Sequence, residues 1–539
     1  MNISPIDLAI IVIYMLGIVA LGIFSTRKQQ PTSDNYFLAG RRLSWPTIGA
    51  ALFASNISTI HLIGLSADGY RLGLVTGNFE WMATFTLILL GIVFAPFYIK
   101  TKISTLPEFL EKRFDSRSRS FLAFMAIIGA LFIHIGMSLY AGAIVFQQFF
   151  GINMYLSILI VSFMTTVYTV FGGLKAVVIT ENVQTVILLT GSIILTAAAV
   201  MAVQNMGISN LSELNEILKP GQLKMLHSGD SDIGRNEGYT WYGFFLGYPV
   251  LGIWYWCTDQ TIVQRVLGAK AQIDAQRGAL FAGLLKILPV FIIILPGVLA
   301  FALFKDKIEN PNDTLPVLIN ELLPVGLKGV LAAALLAALM STVAAALNSC
   351  SSLVAVDIVK RINPGVSDRL QIRYGRITAV VVMVISILWS TQGGKFGSIF
   401  QAINDIAGAI APPISAVFLL GVFYKRGTKE AAFYTLVIGF IIGVSVFLLD
   451  FEPISGYRYL TVGLGIPFLM RGWWVFCISG FLFVVISMMT PEPDPMKIAE
   501  TTWERPKAII EGVIKSIFDI RILAGILLFI MILLYSVFG

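Results

Sequence analysis

The chain has 539 residues, 57% of them hydrophobic and only 13% charged, about half the charged fraction of an ordinary soluble domain. That balance excludes a soluble enzyme, and the longest polar stretch, Gln204 to Gly238, is the size of a loop and not of a domain. The formal charge of +7 does not argue for a nucleic-acid partner, because the basic residues fall where they would orient membrane spans.

In chain order, mostly apolar runs long enough to cross a bilayer are predicted over 8–24, 46–70, 79–99, 120–149, 154–172, 180–203, 239–264, 278–304, 327–355, 375–391, 397–423, 430–449, 472–490 and 520–538. The runs are continuous, not alternating, so the expected fold is an all-α polytopic bundle of about 14 helices and not a barrel. No basic residue precedes the first run, and Arg27 and Lys28 follow it, the reverse of a signal peptide's order. The first helix is therefore expected to remain, with the N-terminus outside and, after an even number of crossings, the C-terminus outside as well. This orientation puts 27 of the 38 Lys and Arg on the inner side and 10 on the outer, with Lys286 within a span. Only one orientation satisfies the positive-inside rule. A multi-pass protein of the plasma (inner) membrane is expected, with the lipid bilayer and a small solute as its partners.

Cys257, Cys350 and Cys477 are too few and too scattered for a disulfide framework or a tetrahedral zinc site. Neither a GxxxxGK[ST] loop nor a GxGxxG fingerprint occurs, so any work done must draw on a gradient. No nucleophile–base cluster points to an enzyme.

Two spans are interrupted. The second carries Ser55, Asn56, Ser58, Thr59 and His61 in an otherwise apolar stretch, and the seventh carries Thr258, Asp259 and Gln260. Polar or irregular backbone at bilayer depth has to line a cavity or be buried in protein. The two spans lie five apart and so occupy corresponding places in successive groups of five, which is the pointer to a central site in transporters built of inverted repeats. The simpler reading of each hydroxyl or amide, interhelical packing, stands beside this one. Glu80 opens the third span and Lys286 lies inside the eighth, and charges at such depth should face a wet cavity or a partner. His134, alone on the fourth span, reads as a satisfied core histidine, and Asp405, beside Asn404, as a residue that caps or pairs locally. Ser341 and Thr342 in the ninth span are either packing hydroxyls or part of a cage of neutral oxygens for a cation, with carbonyls near Ala54 and Ile57 supplied by the broken second span.

The stretches Asp34-Asn-Tyr-Phe-Leu-Ala-Gly40, Ala54-Ser-Asn-Ile-Ser58, Phe79-Glu-Trp81, Trp254-Tyr-Trp-Cys-Thr-Asp-Gln-Thr-Ile-Val-Gln-Arg265 and Ala411-Pro-Pro-Ile-Ser-Ala-Val-Phe418 resemble the sodium/solute symporter family, and within it the sodium/glucose cotransporter branch. The resemblance covers about residues 5 to 450. It implies a LeuT-like core of two inverted five-helix repeats, over 46–203 and 239–423. An extra helix and loop (1–45) come before, an outer loop (204–238) lies between, and three helices (424–539) follow. It implies sodium at the carbonyls of Ala54, Ile57 and Ala338 and the hydroxyls of Ser341 and Thr342. It implies sugar contacts at Asn56, His61, Glu80, Trp256, Lys286 and Asn404, with Tyr255 as the inner gate beneath the sugar and Leu65, Phe79 and Phe400 as the outer lid.

The chemistry of these residues suits a polyol: Glu80 accepts from neighbouring hydroxyls, Lys286, Asn56 and Asn404 donate, and His61 does either. Two departures from the family pattern bear on the outcome. Asn404 stands where glutamine is usual, which leaves open which hexose is carried. Ala344 and Ala345, with Glu181 in place of an aspartate, imply that a second sodium site is missing. The expectation is sodium-coupled symport of a neutral glucose- or galactose-type hexose, one sodium per sugar. The alternatives are a sodium or proton symporter for another polyol or sugar acid such as inositol, or a channel or sensor.

Overall fold

The computed structural model describes residues 4–392, 399–503, 514 and 516–539, without the side chains of residues 145, 148–150, 399–402 and 453. Among the described residues there is no strand, only one isolated bridge between Leu43 and Ala269. The helices are α1 (Pro5–Thr26), α2 (Trp45–Asn56), α3 (Thr59–Leu72), α4 (Leu74–Lys100), α5 (Ser116–Ile144) and α6 (Met154–Asn205). The seventh span is built of short pieces, α7 (Tyr248–Gly252), a π turn over Ile253–Thr258, and α8 (Gln260–Leu267). Then come α9 (Gln272–Phe304), α10 (Leu327–Ile362), α11 (Asp368–Ser390), α12 (Ile399–Phe423), α13 (Lys429–Asp450), α14 (Phe468–Met489) and α15 (Ile520–Phe538).

Among the described residues eleven helices are each long and apolar enough to cross a membrane, and the bent pair α2–α3 adds a twelfth span. The expected count of about 14 is reached because two spans escape that criterion. The seventh is divided at Asp259 into a limb over 241–258, rich in Gly, Trp and Tyr, and the short α8, and α6 holds two expected spans in one run of 52 residues. A straight helix of that length would measure about 78 Å against a hydrocarbon core of about 30 Å. The break is at Gly173 (φ 59°, ψ −158°), where the fifth expected span was to end, and the expected loop before residue 180 is helical instead.

A core and a periphery are distinguishable by what the helices bury. The small-residue run Ala332 to Ala346 makes α10 almost wholly buried, since Ala and Ser let neighbouring backbones come close. By contrast α1, α11, α13, α14 and α15 turn large apolar side chains such as Ile13, Leu388, Ile441, Phe481 and Phe529 outward, as lipid-facing helices do.

The irregularities recur in the two expected repeats. Each begins with a span broken in its middle, at Ile57–Ser58 and at Asp259. The next span of each, α4 and α9, carries a π turn (Leu90–Phe94, Val290–Ile294) just before a proline, Pro96 or Pro296. Proline supplies no N–H and crowds the preceding turn, and the wider turn accommodates both. Pro289 acts likewise on α9, which loosens at Lys286–Ile287; the side chains of Thr84 and Trp81 donate to the carbonyls of Gly283 and Ile287 there, at 2.9 and 3.3 Å. Arg113, buried, donates to the carbonyls of Gly421 (2.8 Å), Tyr424 (3.1 Å) and Gly427 (3.2 Å), satisfying the C-terminal end of α12.

Gly173 combines a backbone conformation closed to side chains with a close approach: a Cβ there would lie 2.4 Å from the Tyr36 carbonyl oxygen. Gly173→Ala is expected to destabilise the folded protein by about 1–3 kcal/mol or more, read as a lowered midpoint of thermal unfolding in detergent. An unchanged midpoint would mean the break is not built as described.

Candidate functional site

The site grows from the break in the second span. Helix α2 ends at Asn56, α3 begins at Thr59, and the two are bent by 65°. Ile57 and Ser58 between them are extended, with ψ of 102° and 171°. The last carbonyls of α2 thus lose the donors a continuous helix would give them. The start of α3 is capped by Ser58 and His61: the Ser58 N–H donates to His61 Nδ1 at 3.3 Å and its hydroxyl lies 2.9 Å from the same nitrogen. Because Nδ1 accepts from a backbone N–H, the proton of the neutral ring belongs on Nε2, and His61 offers a donor.

Helix α10 supplies what the broken end lacks. Ser341 Oγ donates to the Ala54 carbonyl at 2.8 Å and has the Ala338 carbonyl of its own helix at 3.0 Å. Thr342 Oγ1 stands 3.1 Å from the Ser55 carbonyl and 3.2 Å from that of Ala338. Each hydroxyl has one hydrogen and two carbonyls in reach, so it can turn to its own helix and present a lone pair to the break. Of the five residues expected to hold an ion, Ala54, Ala338, Ser341 and Thr342 meet in this cluster, and Ile57 lies fully buried one residue past α2. The Ser55 carbonyl was not foreseen, since a carbonyl has no signature in a sequence. All these oxygens are neutral, which suits a monovalent cation. No group of three or more His, Cys, Asp or Glu that could hold a metal occurs among the described residues.

On the other side of α2 runs a chain of four expected residues. Lys286, only 1% exposed, donates to the Glu80 carboxylate and to Asn56 Oδ1 at 2.5 Å, and Asn56 Nδ2 donates to Tyr255 Oη at 3.0 Å. Two charges so deeply buried are tolerable only as a pair with further hydrogen bonds, and Asn56 provides one. The Lys286 ammonium also stands 5.6 Å from the centre of the Trp256 ring, within reach of a cation–π attraction.

Beside this chain lies a cavity of about 120 Å³, with Asn56, His61, Phe79, Tyr255, Trp256 and Asn404 on its wall. Thr342 is on the wall as well, so the hydroxyl–carbonyl cluster and the cavity share a boundary. Glu80 and Lys286 lie behind Asn56, off the wall, and Leu65, expected as a lid, is fully buried in the apolar packing of α3 and α9. Phe79 has rings around it: Phe244, Tyr239 and Tyr248 edge-on at 5.4 to 5.9 Å, and Phe468 stacked at 6.2 Å. The Phe400 side chain lies outside the described residues.

Two further pairs border the site. His134 Nε2 lies 2.7 Å from Asp259 Oδ2, and Asp259 Oδ1 accepts the Thr261 N–H at 2.7 Å, capping α8. The histidine read as a satisfied core residue is satisfied, but by the residue at which the seventh span breaks, and it lines the cavity. Glu181 is paired with Arg265, both fully buried. Asp405 was expected to pair locally; it accepts instead from Arg471 Nη2 at 2.7 Å, because α14 packs along α12.

Comparison with known proteins bears on what this arrangement is. Residues 36–439 match the profile of the sodium:solute symporter family. The human sodium/myo-inositol cotransporter is 34% identical, over 94% of this chain and 76% of that protein. The sheep sodium/glucose cotransporter 1 is 34% identical over 92% and 80%, and the mouse sodium/glucose cotransporter 4 is 36% identical over 92% and 77%. Among solved structures, a Na+-coupled sialic acid symporter in a substrate-bound outward-open state has a TM-score of 0.75 at 22% identity, covering 91% of this chain and 99% of that one. Mhp1, a nucleobase-cation-symport-1 family transporter, has a TM-score of 0.57 at 14% identity, over 86% and 97%. The fold is therefore the LeuT-like one, and the chain belongs to the sodium:solute symporter family, multi-pass membrane transporters that couple solute movement to sodium and are not enzymes.

Proposed function

We propose that this protein carries a neutral, polyhydroxylated ring, a glucose- or galactose-type hexose, into the cell with one sodium ion, by alternating access. The observation that carries the reading is the wall of the cavity, which among the described residues bears no Asp, Glu, Lys or Arg: Lys286 and Glu80 are paired behind Asn56, which leaves Asn56, His61 and Asn404 to exchange hydrogen bonds with hydroxyls. A solute carboxylate would have to displace Glu80 from its partner. Trp256 and Tyr255 offer faces for the apolar side of a ring. Inositol is the second reading, favoured by the likeness to the human sodium/myo-inositol cotransporter, and its hydroxyl-bearing ring asks the same of the wall.

In this reading sodium is held at Ala54, Ile57, Ala338, Ser341 and Thr342, where it ties the broken span to α10. That contact fixes Asn56, at the end of the same α2, on the cavity wall, so the ion shapes the solute site without touching it. The coupling is reciprocal: the solute, by holding Asn56, strengthens the binding of sodium. Tyr255 closes the solute's inner side and Phe79 its outer side. Rocking of the helices about the site exposes it to one side of the membrane and then the other, with both chain ends outside. One positive charge moving inward through 100 mV contributes about 2.3 kcal/mol, to which a sodium gradient adds. Glu181, engaged by Arg265, and the methyls of Ala344 and Ala345 offer no second ion a home, which supports a ratio of one to one.

Uptake of radiolabelled D-glucose, D-galactose and myo-inositol into proteoliposomes, with and without an inward sodium gradient at fixed pH and voltage, tests the reading. Sodium-driven accumulation of one of them, with a Hill coefficient for sodium of about 1, is expected; no sodium effect on any would refute it. Ser341→Ala and Thr342→Ala should each raise the sodium concentration for half-maximal uptake about tenfold or more while leaving the order of solute preference unchanged, the loss of one ligand being on the order of 1.4 kcal/mol. Wild-type sodium activation in both variants would remove the ion from this cluster. Glu80→Gln leaves Lys286 buried without its counter-charge, a cost of about 3–5 kcal/mol, so it should lower the unfolding midpoint more than the double change Glu80→Gln with Lys286→Met. Both should abolish uptake.

A further inference from the structure

A second, smaller cavity of about 20 Å³ adjoins the first and shares Asn404 and Leu251 with it. Its wall includes Asp405, Gly408 and Arg471. Arg471, 9% exposed, forks between two carboxylates: Nη2 donates to Asp405 Oδ1 and Nη1 to Asp450 Oδ2, each at 2.7 Å. Its Nε is buried with no acceptor among the described residues. Asp450 is held in turn by the N–H groups of Leu460 and Thr461, both at 2.9 Å, by the Thr461 hydroxyl at 2.5 Å, and by Arg458 at 3.9 Å. The network thus joins α12, through Arg471 of α14, to an anchored carboxylate at the end of α13.

The packing of α12 shows what such a tie would do. At Ala409 the helix touches α13 so closely that a Cβ on Gly443 would come within 2.1 Å of the Ala409 carbonyl. One residue earlier, at Gly408, no atom of the described residues lies within 4 Å of the place a Cβ would take. Pro412 and Pro413 supply no N–H to the carbonyls of Gly408 and Ala409, so the hydrogen-bond ladder is interrupted at this same level. The segment that bears Asn404 therefore sits beyond a tight contact and a weakened turn, bordered by two cavities, where close packing alone does not set its position.

We propose that Asp405 and Arg471 are positioning residues for solute recognition: the bridge from Asp405 through Arg471 to Asp450 sets where Asn404 stands on the cavity wall, and so which ring hydroxyl it reads. This rests on the proposed solute site. A planar guanidinium that gives one N–H to each of two carboxylates is directional, which suits it to fixing a register, and a Lys at position 471 would keep the charge but lose the fork.

The test is sodium-driven uptake by the full-length protein in proteoliposomes. The probes are whichever of D-glucose, D-galactose and myo-inositol is taken up, together with its monodeoxy analogues. In Asn404→Ala, the KM penalty for the analogue that lacks the hydroxyl read by Asn404 should disappear. Asp405→Asn, nearly isosteric, should remove the same penalty, raise KM for the parent solute about tenfold, and leave Vmax and half-maximal sodium within about twofold of wild type. The double variant should be no worse than Asn404→Ala alone, and Arg471→Lys should behave as Asp405→Asn. If Asp405→Asn leaves the penalties intact, or raises KM equally for parent and all analogues, the pair is structural and the proposal fails. Normal sodium activation in the same vesicles separates that result from misfolding. If Asn404→Ala itself leaves every penalty unchanged, the solute-site reading falls and this proposal falls with it.

Discussion

A helix cannot be broken at bilayer depth without something to receive its freed carbonyls, and this molecule is arranged around that constraint. The carbonyls of Ala54 and Ser55 face two hydroxyls of α10, the most buried of the long spans among the described residues. Because hydroxyls can rotate, the arrangement is closed without an ion and can open its lone pairs to one. The same break puts Asn56 where it can bridge Lys286 and Tyr255, and so the proposed solute site and the proposed ion site share one structural origin.

Three pairs of ionisable side chains at or beside the cavity each join different helices. Lys286 of α9 meets Glu80 of α4, His134 of α5 meets Asp259 at the head of α8, and Arg265 of α8 meets Glu181 of α6. Each pair ties an interrupted or loosened element to a neighbour. In a low-dielectric interior such ties favour one relative placement over its alternatives more than they add stability, since desolvation offsets much of the attraction.

Much of this was legible in the sequence, and for identifiable reasons. Polar residues in an apolar span are conspicuous, so Asn56, His61, Ser341, Thr342, Glu80 and Lys286 could be singled out from composition and depth alone. The partnerships were less legible. Asp405 lies 66 residues before Arg471 and His134 lies 125 before Asp259, and no periodicity within one helix reports on a neighbour that far along the chain. The division of α6 was visible as two apolar runs, but its form was not. A single glycine in a left-handed conformation does what a loop was expected to do. Leu65 illustrates a different limit: an apolar side chain on the right helix can face the core or a lid, and its type does not distinguish them.

The bridge between Leu43 and Ala269 has a mechanical meaning. The Leu43 N–H donates to the Gly268 carbonyl and the Leu43 carbonyl accepts from the Lys270 N–H, both at 3.0 Å, which fastens the segment entering α2 to the segment leaving α8. Two helices, each jointed in the middle, are thereby riveted at one end. Their outer limbs can swing separately, but their riveted limbs must travel as one piece. An aperture at that end has to form against this pair and not between its members.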